Sequence, residues 1–173
     1  MNAETIPVLN TTFDGNGHTI KITAKSPGAN AFMQFIGTIS ETGVLKNVRF
    51  EYTLTSTADT SWEGLLLGIN EGLIENVEAY ITNNVYYIDP NVSGNFSCLF
   101  TEGGDGTIRN VVAHISGTGW CWPDATEESD SSKIFKFVPS GTLENVLVIT
   151  NKQLSMPTDS NTCLLYTSDA ADE

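Results

Sequence analysis

An all-β fold, a right-handed parallel β-helix of about five coils, is predicted by a recurring motif, by period-two alternation after each copy, and by the absence of sustained helical periodicity. The motif Gly-x-(Leu/Ile)-x-Asn-Val stands at Gly43–Val48, Gly72–Val77, Gly106–Val111 and Gly141–Val146. Its asparagines, Asn47, Asn76, Asn110 and Asn145, are separated by 29 (76 − 47), 34 (110 − 76) and 35 (145 − 110) residues. A period of this length makes each copy one structural unit, which buries its apolar face against the next.

Ahead of the first copy, Phe13-Asp14-Gly15-Asn16-Gly17-His18-Thr19-Ile20 carries two turn signals in tandem and opens a leading coil. A short apolar strand is then expected before each motif, at Phe32 to Ile36, Gly64 to Leu67, Phe96 to Phe100 and Ile134 to Val138. A second strand follows each asparagine. In the first copy Val48, Phe50, Tyr52 and Leu54 share one face, opposite Arg49, Glu51 and Thr53. Superposing the copies gives inward columns: Val48, Val77, Val111 and Val146, then Phe50, Ala79, Ala113 and Val148. The large-small-small-large order suits an interior of constant volume. Successive strands should pair in parallel, about 4.8 Å apart, with right-handed crossovers.

Each asparagine is expected at the corner entering its strand, where Asn tolerates unusual backbone angles. Stacked on its equivalents, its amide can donate to the next side-chain carbonyl, forming a structural ladder. The motif glycine is expected to supply a tight turn with positive φ.

The Asp-Gly-Asn-Gly-His-Thr-Ile entry and the Gly-x-(Leu/Ile)-x-Asn-Val copies together resemble the GLUG-type β-helix repeats of bacterial cell surfaces, over roughly residues 6 to 150. The resemblance implies an extracellular or surface setting and supplies no catalytic residues. Such entries often continue Lys-Asn-Leu. This one has Lys21-Ile22, so the leading coil is expected to lack a ladder asparagine.

The last residues break the pattern. Cys163 to Glu173 resembles the in-frame translation of a transposase adapter from sequencing libraries. The expected organisation is therefore one β-helix repeat domain over 1–162, a fragment of a larger protein, followed by a non-native tail over 163–173. On this reading the absence of a signal peptide says nothing about compartment.

The 173-residue chain has a formal net charge of −13, or −10 without Asp169, Asp172 and Glu173 (−13 + 3). That acidity argues against nucleic acid and against an anionic membrane surface as partners. No apolar run reaches the ~18 residues of a membrane span. Cys98, in the apolar run Phe96 to Phe100, reads as a buried free thiol or as one half of a disulfide to Cys121, and nothing supplies the four ligands of a zinc site. Sequons at Asn10, Asn91 and Asn95 carry no weight in a chain so rich in Ser, Thr and Asn. No cofactor or metal is expected.

Function should sit on loops and outer faces, since the interior of a solenoid is generic. The insertions Thr55 to Trp62, Thr82 to Asn95 and Gly117 to Ser132 leave from equivalent corners and should line one edge. They hold Trp62, Tyr86, Tyr87, Trp120 and Trp122 with Asp89 and Asp124, and they hold all of the chain's tryptophans. One reading is a glycan-binding strip, the rings stacking on pyranoses and the carboxylates accepting hydroxyl hydrogens. A surface protein is the other partner such anchors suit. The alternative is that the rings fold down to anchor the insertions.

Catalysis would need paired carboxylates or an acid–base file. The outward columns provide Glu51, Tyr80, His114 and Ile149 in one row and Arg49, Glu78, Val112 and Leu147 in another, with Arg109 nearby. A solvated sheet face is the plainer reading of these residues. Asp124 to Asp130 has the charge of a calcium loop without its glycine or spacing. The expected function is non-catalytic display and adhesion. The alternatives are a fragment of a polysaccharide lyase or glycoside hydrolase, and a phage tail-spike segment, which would trimerise. The outward rows grow more apolar toward the C-terminus, as if further sequence or a partner covered that end.

Overall fold

A computed structural model of the chain describes residues 3–26, 33–56, 66–84, 104–117, 134–136, 141–150, 153–155 and 164–168. Among these residues every regular element is a strand, and every strand pairing is parallel. The elements in chain order are β1 (Ala3–Leu9), β2 (Thr12–Asp14), β3 (Thr19–Ser26), β4 (Met33–Ile39), β5 (Val44–Ser56) and β6 (Leu67–Asn70). They continue as β7 (Leu73–Asn84), β8 (Thr107–Ser116), β9 (Ile134–Lys136), β10 (Thr142–Thr150), β11 (Gln153–Ser155) and β12 (Leu164–Ser168).

The main sheet runs β12-β10-β8-β7-β5-β2, with β3 also on β5. A smaller sheet orders β1-β4-β6, and β9 pairs with β11. In the main sheet the motif copies lie in register: Val48 pairs with Val77, Val77 with Val111, and Val146 with Val111. These valines are buried, as are Phe50, Ala79, Ala113 and Val148 in the next column. Tyr52, Ile81 and Ile115 make a third column, and burial pushes the Tyr52 hydroxyl pKa upward. The motif's own apolar position adds a fourth, Leu45, Ile74, Ile108 and Leu143, on the far side of each asparagine. Each fully buried aliphatic side chain contributes roughly 1.5–3 kcal/mol, so the repeat is held mainly by these columns. From the smaller sheet, Phe35 meets Phe50 edge-on at 5.4 Å and Phe13 at 6.2 Å, so the core lies between the sheets.

The strands before the motif depart in detail from the sequence expectation. Phe32, Gly64 and Leu65 lie outside the described residues, and the described strands run on past the expected ends, Met33–Ile39 beyond Ile36 and Leu67–Asn70 beyond Leu67. The extension to Asn70 has a local reason. Gly68 stacks on Gly37, and buried Asn70 follows Ile39 in register. There Asn70 Oδ1 accepts from the Gly72 amide at 3.2 Å, and Nδ2 donates to the Thr107 carbonyl at 3.4 Å. Of the other two segments, Phe96 to Phe100 lies outside the described residues and Ile134–Lys136 is a strand.

The motif glycines are a correction. Positive φ among described glycines occurs at Gly17, Gly104 and Gly117, and not at Gly43, Gly72, Gly106 or Gly141. Their constraint is space. A Cβ on Gly72 would strike the carbonyl oxygens of Gly43 and Ser40; on Gly106, that of Gly72; on Gly141, that of Gly106. The chain stacks backbone on backbone at this corner, and Leu73 and Thr107 donate their amides to the carbonyls of Gly43 and Gly72 at 3.0 and 2.8 Å.

Within the expected non-native tail, the described residues join the main sheet. Leu164–Ser168 pairs with Val146–Thr150 at an offset of 18 residues (164 − 146). Its Leu-Leu-Tyr-Thr composition is β-prone, and the far edge of β10 offers unpaired backbone groups.

Candidate functional site

Positive φ falls on the asparagines. Asn47, Asn76, Asn110 and Asn145 have φ of 52–53° in strands that otherwise continue through them. Each left-handed residue turns the strand, so that residues on both sides of it, such as Leu45 and Val48, face the interior. Their side chains are hydrogen-bonded in series. Nδ2 of Asn76 donates to Asn47 Oδ1, that of Asn110 to Asn76 Oδ1, and that of Asn145 to Asn110 Oδ1, each at 3.1 Å.

The series does not stop at Asn47, as the leading segment had led us to expect. Asn47 Nδ2 donates to Asp14 Oδ1 at 3.1 Å, so a carboxylate supplies the first rung. The spacing hid it. Four residues, Gly15 to His18, lie between Asp14 and Thr19, where the partner strand has only Asn47 and Val48. That extra loop is pinned by Gly15 and Gly17 amides on the carbonyls of Lys46 and Asn47, at 2.9 and 2.7 Å. The backbone amide of Asn16 on its Oδ1, then Asn47, and Lys46 at 3.4 Å hold the Asp14 carboxyl below its usual range.

The outward face of the main sheet brings the two expected rows together. Lys21, Glu51, Tyr80, His114 and Ile149 stand in register in one row, and Arg49, Glu78, Val112 and Leu147 in the other. Lys21 Nζ lies 2.7 Å from Glu51, and Arg49 reaches Glu51 at 3.7 Å and Glu78 at 3.6 Å. The Tyr80 hydroxyl donates to Glu78 at 2.7 Å, which with partial desolvation raises its pKa. His114 stacks on the Tyr80 ring at 4.2 Å with 5° between planes, and the Arg49 guanidinium lies 4.3 Å from the same ring's centre. Because β7 lies between β5 and β8, Arg49 and His114 cover opposite faces of Tyr80.

This packing limits the chemistry. Tyr80 has no ring face left for a sugar. The Lys21 ammonium, hydrogen-bonded to Glu51, keeps that carboxyl below its usual range, whereas a general acid needs a raised one. The described part of the face is a charge and π network, in which the exposed ion pairs add little stability each. Toward the other end Val112, Leu147 and Ile149 are half-buried. Beside the rows runs a file of hydroxyls, Thr23, Thr53, Thr82 and Ser116.

The insertions leave from strand ends that are themselves in register: Thr55 pairs with Asn84, and Thr82 with Ser116. Trp62, Tyr86, Tyr87, Asp89, Trp120, Trp122 and Asp124 lie outside the described residues, as do Cys98, Cys121 and the Asp124 to Asp130 segment. Among the described residues no group of His, Cys, Asp or Glu is arranged to hold a metal ion. No helix among them is long and apolar enough to cross a membrane. Comparison with protein-family models, curated proteins and solved structures returns no match.

Proposed function

We propose that this chain is a right-handed parallel β-helix module of an extracellular or cell-surface protein, serving display and adhesion, and that it binds glycans along its insertion edge. The observation that carries this reading is the register of the neighbouring strand ends, Thr55 pairing with Asn84 on the next strand and Thr82 with Ser116 on the one after. Insertions launched from neighbouring strands about 4.8 Å apart start side by side, which favours a single row on this reading. Aromatic residues recur in all of them, and a row of rings suits a chain of pyranoses better than a single small ligand. A regular scaffold with function confined to its edge is how solenoids generally work.

A glycan array probed with the full chain, and with a Trp120→Ala/Trp122→Ala variant, tests the reading. Loss of at least about tenfold in affinity for the bound glycans is expected on removing both rings. Binding that survives unchanged would refute the strip.

A further inference from the structure

Asn16-Gly17 is the chain's one Asn-Gly step, and it lies in the four-residue loop that follows Asp14. In such a step the glycine nitrogen can attack the asparagine side-chain carbonyl, because no Cβ crowds the five-membered ring that forms. Both residues here have positive φ, 49° at Asn16 and 75° at Gly17, and Asn16 is exposed. A Cβ built on Gly17 would meet nothing within 4 Å, so the ring has room. The Asn16 backbone is engaged on both sides, its amide donating to Asp14 Oδ1 at 2.9 Å and its carbonyl meeting His18 Nδ1 at 3.1 Å. Among the described residues no hydrogen bond engages its side-chain amide. The neighbouring Asp14-Gly15 step lacks this freedom, since Asp14 Oδ1 accepts from Asn16 and Asn47 and Lys46 lies 3.4 Å from Oδ2.

Two contacts on the peptide between Asn16 and Gly17 act in opposite directions. A carbonyl oxygen only accepts, so His18 Nδ1 carries the hydrogen in its contact with the Asn16 carbonyl. That donor faces the oxygen on which charge gathers when the Gly17 nitrogen loses its proton, the arrangement of an oxyanion hole. On the other side, the Gly17 N–H donates to the Asn47 carbonyl at 2.7 Å, which occupies the nucleophile and pins it to β5. His18 is two residues from Asn16, so its contact is local and can persist when the loop lifts from β5. The bond to Asn47 cannot.

We infer that Asn16 is a self-modifying site, converted to aspartate or isoaspartate by attack of the Gly17 nitrogen with His18 assisting, and that the hydrogen bond from Gly17 to Asn47 is the latch that restrains it. The bond from Gly17 N to Asn16 Cγ forms as the Asn16 Cγ–Nδ2 bond breaks, and ammonia leaves with the Gly17 proton. Water then opens the resulting succinimide at either carbonyl, with nothing oxidised or reduced. Either product adds a negative charge beside Asp14, at the head of the asparagine series. Isoaspartate also lengthens the backbone by one carbon, inside a loop whose Gly15 and Gly17 amides both meet β5. Conversion therefore follows opening of the leading loop and hinders its return. This inference concerns the leading loop alone and is independent of glycan binding.

Peptide mapping by mass spectrometry of the full chain, held in mildly alkaline buffer, tests the assignment. Asn16 should convert ahead of every other asparagine, and at least about tenfold more slowly in the folded chain than in urea. His18→Ala should slow conversion about threefold in the folded chain and leave the rate in urea unchanged. Conversion first at another asparagine would overturn the site. Equal rates in the folded and unfolded chain would remove the latch. A folded-state rate that is unchanged or raised in His18→Ala would remove the imidazole from the reaction.

Discussion

At Gly72 neighbouring backbones stand so close that a single added carbon would enter the space of two carbonyl oxygens. Four residues on, at Asn76, the chain is exposed and has room, yet the backbone there takes a left-handed conformation that most residues resist. The two positions recur with equal regularity in the sequence. One is fixed by what cannot fit, the other by what the side chain and backbone must both do. Regularity in a repeat therefore identifies a corner without revealing which force maintains it.

Substitutions at the two corners break this comparison in different ways. The largest effect is expected for Gly72→Ala, where the obstacle is backbone on both sides and cannot rotate away. A loss of about 3 kcal/mol in chemical denaturation is expected. A loss under about 1 kcal/mol would show that the stack yields, and that space is not the constraint. Asn76→Ala should cost roughly 2 kcal/mol, from left-handed strain together with the severed rungs to Asn47 and Asn110. Asn76→Gly keeps the backbone angle accessible and should cost only about 1 kcal/mol. If alanine and glycine prove equally damaging at this position, the side-chain ladder alone matters there.

The smallest expected effect lies at the head of the series. The Asp14 carboxyl is held below its ordinary value of 3.8 by the Asn16 amide, Asn47 and Lys46. A depressed folded-state pKa adds stability that is complete above about pH 4 and fades as pH falls through the folded value. Thermal melts of the parent from pH 5 to 2 should therefore fall more steeply than those of Asp14→Asn. Parallel curves would mean that this carboxylate contributes nothing to the end of the ladder.

Much of the main sheet was legible in the sequence because a strand with one buried face writes its periodicity directly. Val48, Val77, Val111 and Val146 could be aligned by eye, and the register pairs them. The asparagines were legible too, since few residues accept that backbone angle. The Leu45, Ile74, Ile108 and Leu143 column was harder to see. Its alternation is out of phase with the strand beyond, and only the left-handed asparagine reconciles the two. Asp14 was hidden by the four-residue loop that follows it, which breaks the spacing used to find its equivalents. The reason for the glycines was hidden because crowding by a distant segment leaves no local trace. Of the outward rows, their membership could be read from alternation, but not that Arg49 and His114 would enclose Tyr80. Ring stacking across strands depends on rotamers, which residue order does not encode.

The hydrogen-bonded asparagine series has a polarity. All three described amide-to-amide bonds, and the one onto Asp14, point their N–H toward the start of the chain. Aligned amide dipoles of this kind add, as they do along a helix, with the positive pole at the leading end. Asp14 places a full negative charge at that pole, in the position of a helix-capping carboxylate. Each rung then polarises the next, so the row acts as one cooperative electrostatic unit rather than four separate contacts.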